Sequence, residues 1–93
     1  MKIGITGSQG FIGKHLVEVL KNEKNIKLFY CDRPDYDLLN FDSLKNFVKN
    51  KDIIIHTAAV NRGTDTEVIA GSIIATYNLI FAAEKYKSKA KLI

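Results

Sequence analysis

Apolar and polar positions along the 93 residues switch between two rhythms, one of strands and one of helices. Lys2 to Ile5 is a short apolar run and reads as a first strand. From Phe11 to Lys21 the apolar residues Phe11, Ile12, Leu16, Val19 and Leu20 recur at helical spacing, with Lys14, His15, Glu18 and Lys21 on the other face. Ile26 to Cys31 returns to a strand pattern that ends at Asp32, and Pro34 then blocks a helix and sets a turn. Asp42 and Ser43 offer N-cap chemistry for a helix through about Asn50, with Leu44, Phe47 and Val48 inward. Asp52 to Thr57 carries three consecutive isoleucines, the pattern of a central parallel strand buried on both faces. A long helix from about Asp65 or Glu67 to Tyr86 is predicted to bury Val68, Ile69, Ile73, Ile74, Tyr77, Ile80 and Phe81, and Ala90 to Ile93 opens another strand pattern.

Strands alternating with helices predict an α/β fold, a parallel sheet with right-handed crossovers and helices on both faces. Too little chain separates the second strand from Asp37 for a crossover helix, so the helix at 42–50 should carry the chain to the far side of the first strand. The resulting strand order is 2-1-3-4, with a ligand expected over the carboxyl end of strand 1, where the winding reverses.

Composition narrows the class. Ninety-three residues make one small domain, and 46% hydrophobic with 26% charged residues excludes disordered and low-complexity chains. The chain shows no uninterrupted apolar run of bilayer length and no signal-peptide pattern at its start, so a cytoplasmic protein without a membrane partner is expected. The single cysteine, Cys31, cannot close an internal disulfide and reads as a small buried hydrophobe. The net charge of +4 comes mostly from lysines, and Lys85, Lys87, Lys89 and Lys91 read as a solvated helix end. Clustered arginines with interleaved aromatics, the mark of a nucleic-acid reader, are not seen in the sequence.

The candidate chemistry begins at the first strand-to-helix junction, Thr6-Gly7-Ser8-Gln9-Gly10-Phe11-Ile12-Gly13. Three glycines at a bend that opens a helix suit a phosphate cradle, because a phosphate seeks bare backbone N–H groups and the positive end of a helix dipole. By analogy with Rossmann glycines, Gly7 makes the turn, Gly10 admits a pyrophosphate and Gly13 packs helix against strand. The spacing is Gly-x-x-Gly-x-x-Gly. A P-loop fails because Ser8 stands where its first glycine belongs and His15 where its magnesium-binding Ser or Thr belongs.

Asp32, 19 residues beyond Gly13, is positioned to accept hydrogen bonds from an adenosine ribose, favouring NAD, whereas Arg33 beside it suits the 2′-phosphate of NADP. NAD is slightly favoured, since the carboxylate repels that phosphate. His56 sits in a strand pattern and reads as a hydrogen-bonded strand histidine. No metal-ligand spacing is found in the sequence. Asn61 and Arg62 follow the carboxyl end of the third strand, the right place for substrate contacts.

These motifs, in order, resemble those of the extended short-chain dehydrogenase/reductase family, the NAD-dependent epimerases, dehydratases and reductases of nucleotide sugars. Thr6 to Gly13 resembles its Thr-Gly-x-x-Gly-Phe-Ile-Gly motif, and Asp37-Leu38, followed by Asp42-Ser43-Leu44, its segment beside the adenine ring. Ile55-His56-Thr57-Ala58-Ala59 resembles the strand end that passes the cofactor, and Thr76-Tyr77-Asn78-Leu79-Ile80 with Ala82-Ala83 the long helix that follows. Ala59-Val60-Asn61-Arg62 is similar to a loop of sugar-nucleotide 4-ketoreductases. Ser72 and Ala75 stand where the family often has Asn and Gly.

The resemblance implies an incomplete Rossmann-like NAD(P)-binding domain over residues 1–93, with Gly7 to Gly13, Asp32, Arg33, Asp37, Leu38, Ala58, Ala59 and Val60 at the cofactor. It also implies a nucleotide-sugar substrate in a full-length form. The family's Tyr-x-x-x-Lys would lie beyond the strand that begins at Ala90, and none of Tyr30, Tyr36, Tyr77 and Tyr86 has a lysine four residues on. A non-catalytic dinucleotide-binding or sensing module is the alternative, and a flavodoxin-like domain shares the strand order. Self-association through the last strand or the long helix is expected of the chain alone.

Overall fold

The computed structural model describes residues 1–58 and 63–93. Four parallel strands form one sheet: β1 (Lys2–Thr6), β2 (Lys27–Cys31), β3 (Ile53–His56) and β4 (Lys91–Leu92). Among the described residues the α-helices are α1 (Phe11–Leu20), α2 (Lys45–Val48) and α3 (Asp65–Lys85). The spatial order is β2-β1-β3-β4, as the short connection after β2 requires. In register, Ile3 lies beside Leu28 and Ile53, and Thr6 beside Cys31 and His56.

Pleating sends alternate side chains to opposite faces, so Ile54 and His56 share one face and Ile53 and Ile55 the other. On the Ile54 face, Leu44, Phe47, Val48, Leu79 and Ala82 pack into the main core. The isoleucine run is less enclosed than its pattern predicts. Of the three only Ile54 is fully buried; on the opposite face the cover encloses Ile3 and Ile5 of β1 but thins over their neighbours Ile53 and Ile55.

The segment at 42–50 departs from the expected single helix. It begins as a 3-10 turn, Phe41–Leu44, and only then becomes α2. The reason lies in Ser43, whose hydroxyl donates to the carbonyls of Asp37 and Asn40 and accepts from the Asp37 N–H instead of capping a helix. Leu44, Phe47 and Val48 do turn inward.

The largest correction concerns α3. Its buried residues are Ala75, Asn78, Leu79, Ala82 and Ala83, while Ile69, Ile73, Ile74, Tyr77, Ile80 and Phe81 are exposed. Close approach to the sheet side selects small residues, so the bulky ones occupy the outer stripe. The same composition makes the 21-residue helix long and apolar enough to cross a membrane by length and composition, contrary to the sequence reading. Here its small-residue face lies against the core, as in a layer of an α/β domain. In α1, likewise, Gly13 is the buried residue, whereas Phe11, Ile12 and Val19 face outward.

Candidate functional site

The bend between β1 and α1 is shaped by two glycines. Gly7 has φ +74°, a left-handed conformation, and a Cβ there would fall 2.7 Å from the Ala58 nitrogen and from Thr57 Oγ1. A Cβ on Gly13 would run into the Gly7 carbonyl, so only glycine lets α1 seat directly on the turn. The Gly10 N–H donates to the Gly7 carbonyl at 3.0 Å and closes the bend. Gly10 itself is open: an added Cβ would meet nothing closer than that carbonyl, at 3.4 Å.

A concavity of about 450 Å³ lies in front of this bend, lined by Gly7, Gln9, Gly10 to Gly13, Thr57 and Ala58. A second of about 220 Å³ adjoins it, sharing Gly7, Gln9 and Ala58 and adding Cys31, Asp32, Arg33, Tyr36 to Leu39 and Ala75. Together they make one cleft across the carboxyl ends of β1, β2 and β3, at the point where the winding reverses.

The two long helices treat their N-termini differently. The first turn of α3 is closed by a capping box: Thr64 Oγ1 accepts from the Glu67 N–H, and the Glu67 carboxylate accepts from the Thr64 N–H and hydroxyl. Asp65 and Glu67 add negative charge there. Among the described residues no side chain caps α1, and its first turn holds no acidic residue. The amides of Phe11, Ile12 and Gly13 have no acceptor within the helix, and this bare positive end opens on the cleft.

The polar wall comes from the end of β2. Asp32 lines the cleft, and both its carboxylate oxygens lie 3.0 Å from the hydroxyl of Ser8, which is itself buried. Arg33 is turned to Asp37, Nη2 to Oδ1 at 3.5 Å, and the same Asp37 oxygen accepts from the Leu39 N–H. Burial, with Asp32 and Asp37 nearby, pushes the Cys31 thiol up to about 12, so it stays protonated and acts as apolar lining.

A hydrogen-bonded chain supports the β3 side. Thr76 Oγ1 donates to the Ser72 carbonyl, so it accepts from His56 Nε2–H at 3.0 Å. The Ala58 N–H donates to Thr6 Oγ1, whose own proton goes to His56 Nδ1 at 2.6 Å. Every partner is matched by the neutral Nε2–H tautomer, and burial lowers the histidine pKa in agreement. His56 is therefore the hydrogen-bonded strand histidine that its sequence context predicts.

The structure thus brings Gly7, Gln9, Gly10, Phe11, Ile12, Gly13, Asp32, Arg33, Asp37, Leu38 and Ala58 to one cleft. Ser8 stands behind that wall. Ala59, Val60, Asn61 and Arg62 lie outside the described residues. Not expected from the sequence were Cys31, Tyr36, Leu39, Thr57 and Ala75 as lining and Asn78 as a brace. The Asn78 side-chain amide donates to the Leu38 carbonyl at 2.8 Å, fixing the loop that forms the outer wall. The sequence offered no signal for this role, because the apolar pattern of α3 does not show which stripe meets the core.

This geometry is that of a parallel-sheet nucleotide-binding domain. The profile of the NAD dependent epimerase/dehydratase family matches residues 3–93, and the chain belongs to that family. No curated protein sequence matches significantly. Among solved structures, UDP-N-acetylglucosamine 4-epimerase from Bacillus cereus is 27% identical with a TM-score of 0.75, over 94% of this chain and 35% of that one. A GDP-6-OMe-4-keto-L-xylo-heptose reductase from C. jejuni is 24% identical with a TM-score of 0.82, over 98% of this chain and 28% of that one. A mutant uronate dehydrogenase from Agrobacterium tumefaciens complexed with NAD is 21% identical with a TM-score of 0.69, over 92% of this chain and 37% of that one. The chain therefore spans between 28% and 37% of the length of these structures.

Proposed function

We propose that the chain is the cofactor-holding part of an NAD-dependent nucleotide-sugar epimerase, dehydratase or reductase. The observation that carries this reading is the uncapped N-terminus of α1, open to a cleft floored by glycine, whereas α3 has its own N-terminus closed by a capping box. A diphosphate would take the bare amides of α1. An adenosine ribose would lie against Asp32, and an adenine against Leu38, Leu39, Ala58 and Ala75. When bound, the nicotinamide supplies hydride transfer, and the role of these residues is to hold and orient the dinucleotide. NAD is favoured over NADP, because two carboxylates line the ribose end and Arg33, the guanidinium found there among the described residues, already faces Asp37. Asn61 and Arg62 are assigned to the sugar-nucleotide side.

Self-association belongs to the same reading. The outer stripe of α3, with Ile69, Ile73, Tyr77, Ile80 and Phe81 exposed together, suits a second copy of the chain packed helix to helix. Light scattering should find a dimer, and Ile73→Asp should yield monomers with an unchanged far-ultraviolet spectrum. A wild-type monomer at high micromolar concentration would remove this part of the proposal. Titration of the chain with NADH by calorimetry should give saturable one-to-one binding, and no heat at millimolar NADH would overturn the assignment.

A further inference from the structure

Ser8 is within the glycine bend, yet it touches neither part of the cleft. It is only 7% exposed, and its hydroxyl is 3.0 Å from each oxygen of the Asp32 carboxylate. Asp32, not Ser8, faces the cavity. An ionised carboxylate is acceptor-only, with about two lone-pair sites on each oxygen. One serine proton shared between both oxygens engages them from the buried side and leaves each oxygen free acceptor capacity toward the cleft.

That arrangement constrains the carboxylate. Without a partner, an aspartate carboxylate turns broadly about its last torsion. Held at both oxygens from behind, it presents a fixed pair of acceptors, which matches the two adjacent hydroxyls of an unmodified ribose. A 2′-phosphate replaces one of those donors with negative charge, and a fixed carboxylate cannot turn away from it.

Building on the proposed function, we infer that Ser8 is a positioning residue for cofactor choice: acting through Asp32, it makes selection of NAD over NADP a property of the Gly7 turn. Ser8 contacts no ligand itself. The charge is carried by Asp32, and Ser8 sets the direction in which it is presented.

The test compares NADH and NADPH dissociation constants, by fluorescence titration, for the wild type, Ser8→Ala and Ser8→Thr. Ser8→Ala should weaken NADH by about fivefold, as expected for loss of part of a hydrogen bond to a charged group, and leave NADPH unchanged or up to about twofold tighter, because the freed carboxylate can turn away from the 2′-phosphate. Ser8→Thr, which keeps the hydroxyl, should restore most of the wild-type ratio. Equal weakening of both cofactors would mean that Ser8 only shapes the bend, and unchanged NADH binding would mean that Asp32 needs no support; either overturns the inference while leaving the cofactor reading intact. Should circular dichroism show Ser8→Ala unfolded, Ser8→Gly reads the same ratio without a side chain. Failure of the wild type to bind either nucleotide sinks the proposed function, and this inference with it.

Discussion

Gly10→Ala separates binding from folding at the bend. Gly10 has φ −79° and ψ 174°, extended backbone that alanine adopts freely, and the new Cβ meets only the Gly7 carbonyl, at an ordinary 3.4 Å. Alanine gains about 0.4–1 kcal/mol by restricting the unfolded chain and loses a comparable amount as a poorer N-cap. Net stability should move by less than about 0.5 kcal/mol, or roughly 2–4 °C in Tm for a chain of this size. The methyl nevertheless enters the cavity that Gly10 lines, where a diphosphate must reach the amides of α1. Displacing one hydrogen bond to a charged oxygen costs about 1.5–3 kcal/mol, a rise in Kd of about tenfold to a hundredfold. Gly13→Ala is the opposite case, since its Cβ would collide with the Gly7 carbonyl and lie 2.9 Å from the Ser8 Cα, backbone that cannot step aside. It should cost about 1–3 kcal/mol or more and lower Tm before any ligand is added. Differential scanning fluorimetry and NADH titration of both variants give the four numbers needed. If Gly10→Ala binds NADH with the wild-type Kd, no diphosphate rests on this bend and the reasoning fails.

Three further outcomes follow from local chemistry. His56 has a folded pKa below its ordinary value of 6.5, so the unfolded chain binds the proton first; its contribution to stability is fully present above pH 6.5 and is lost as pH falls from there toward the folded value. Urea denaturation between pH 7.5 and 5.5 should show this slope, and His56→Gln should flatten it. Cys31, with its thiol pushed from 9.0 up to about 12, should react with a thiolate-selective reagent at pH 8 about a thousandfold more slowly in the native chain than in urea, as absorbance kinetics can measure. Lys87 closes α3 at φ +54°, with the Ser88 N–H donating to the Ala83 carbonyl and the Lys87 N–H to that of Glu84. Lys87→Gly should therefore stabilise the domain by about 1 kcal/mol, seen as a higher Tm.

Sheet order and the phosphate-binding bend were legible because both depend on short-range chemistry. Connection lengths dictated that β1 lie between β2 and β3, and only glycine suits Gly7 and Gly13. Helix faces were less legible. In α3, apolar residues surround most of the cylinder, so periodicity could not tell which stripe meets the sheet; packing with Phe47 and Ile54 decided for Leu79, Ala82 and Ala83. At 42–50, Ser43 had competing local acceptors in Asp37 and Asn40, which the chain order alone does not rank. The Ser8 to Asp32 contact joins residues 24 apart and exists only once β1 and β2 pair.

The bare first turn of α1 bears on how long the domain stays folded. A ligand that occupies those amides also holds the helix against the sheet, so occupancy and resistance to heat rise together. At a hundred times its Kd, one bound dinucleotide adds about 2.7 kcal/mol to unfolding. Because α3 carries its own cap, that dependence falls chiefly on the half of the sheet built by β1, α1 and β2, and amide exchange at Phe11 to Gly13 should slow as the nucleotide pool fills.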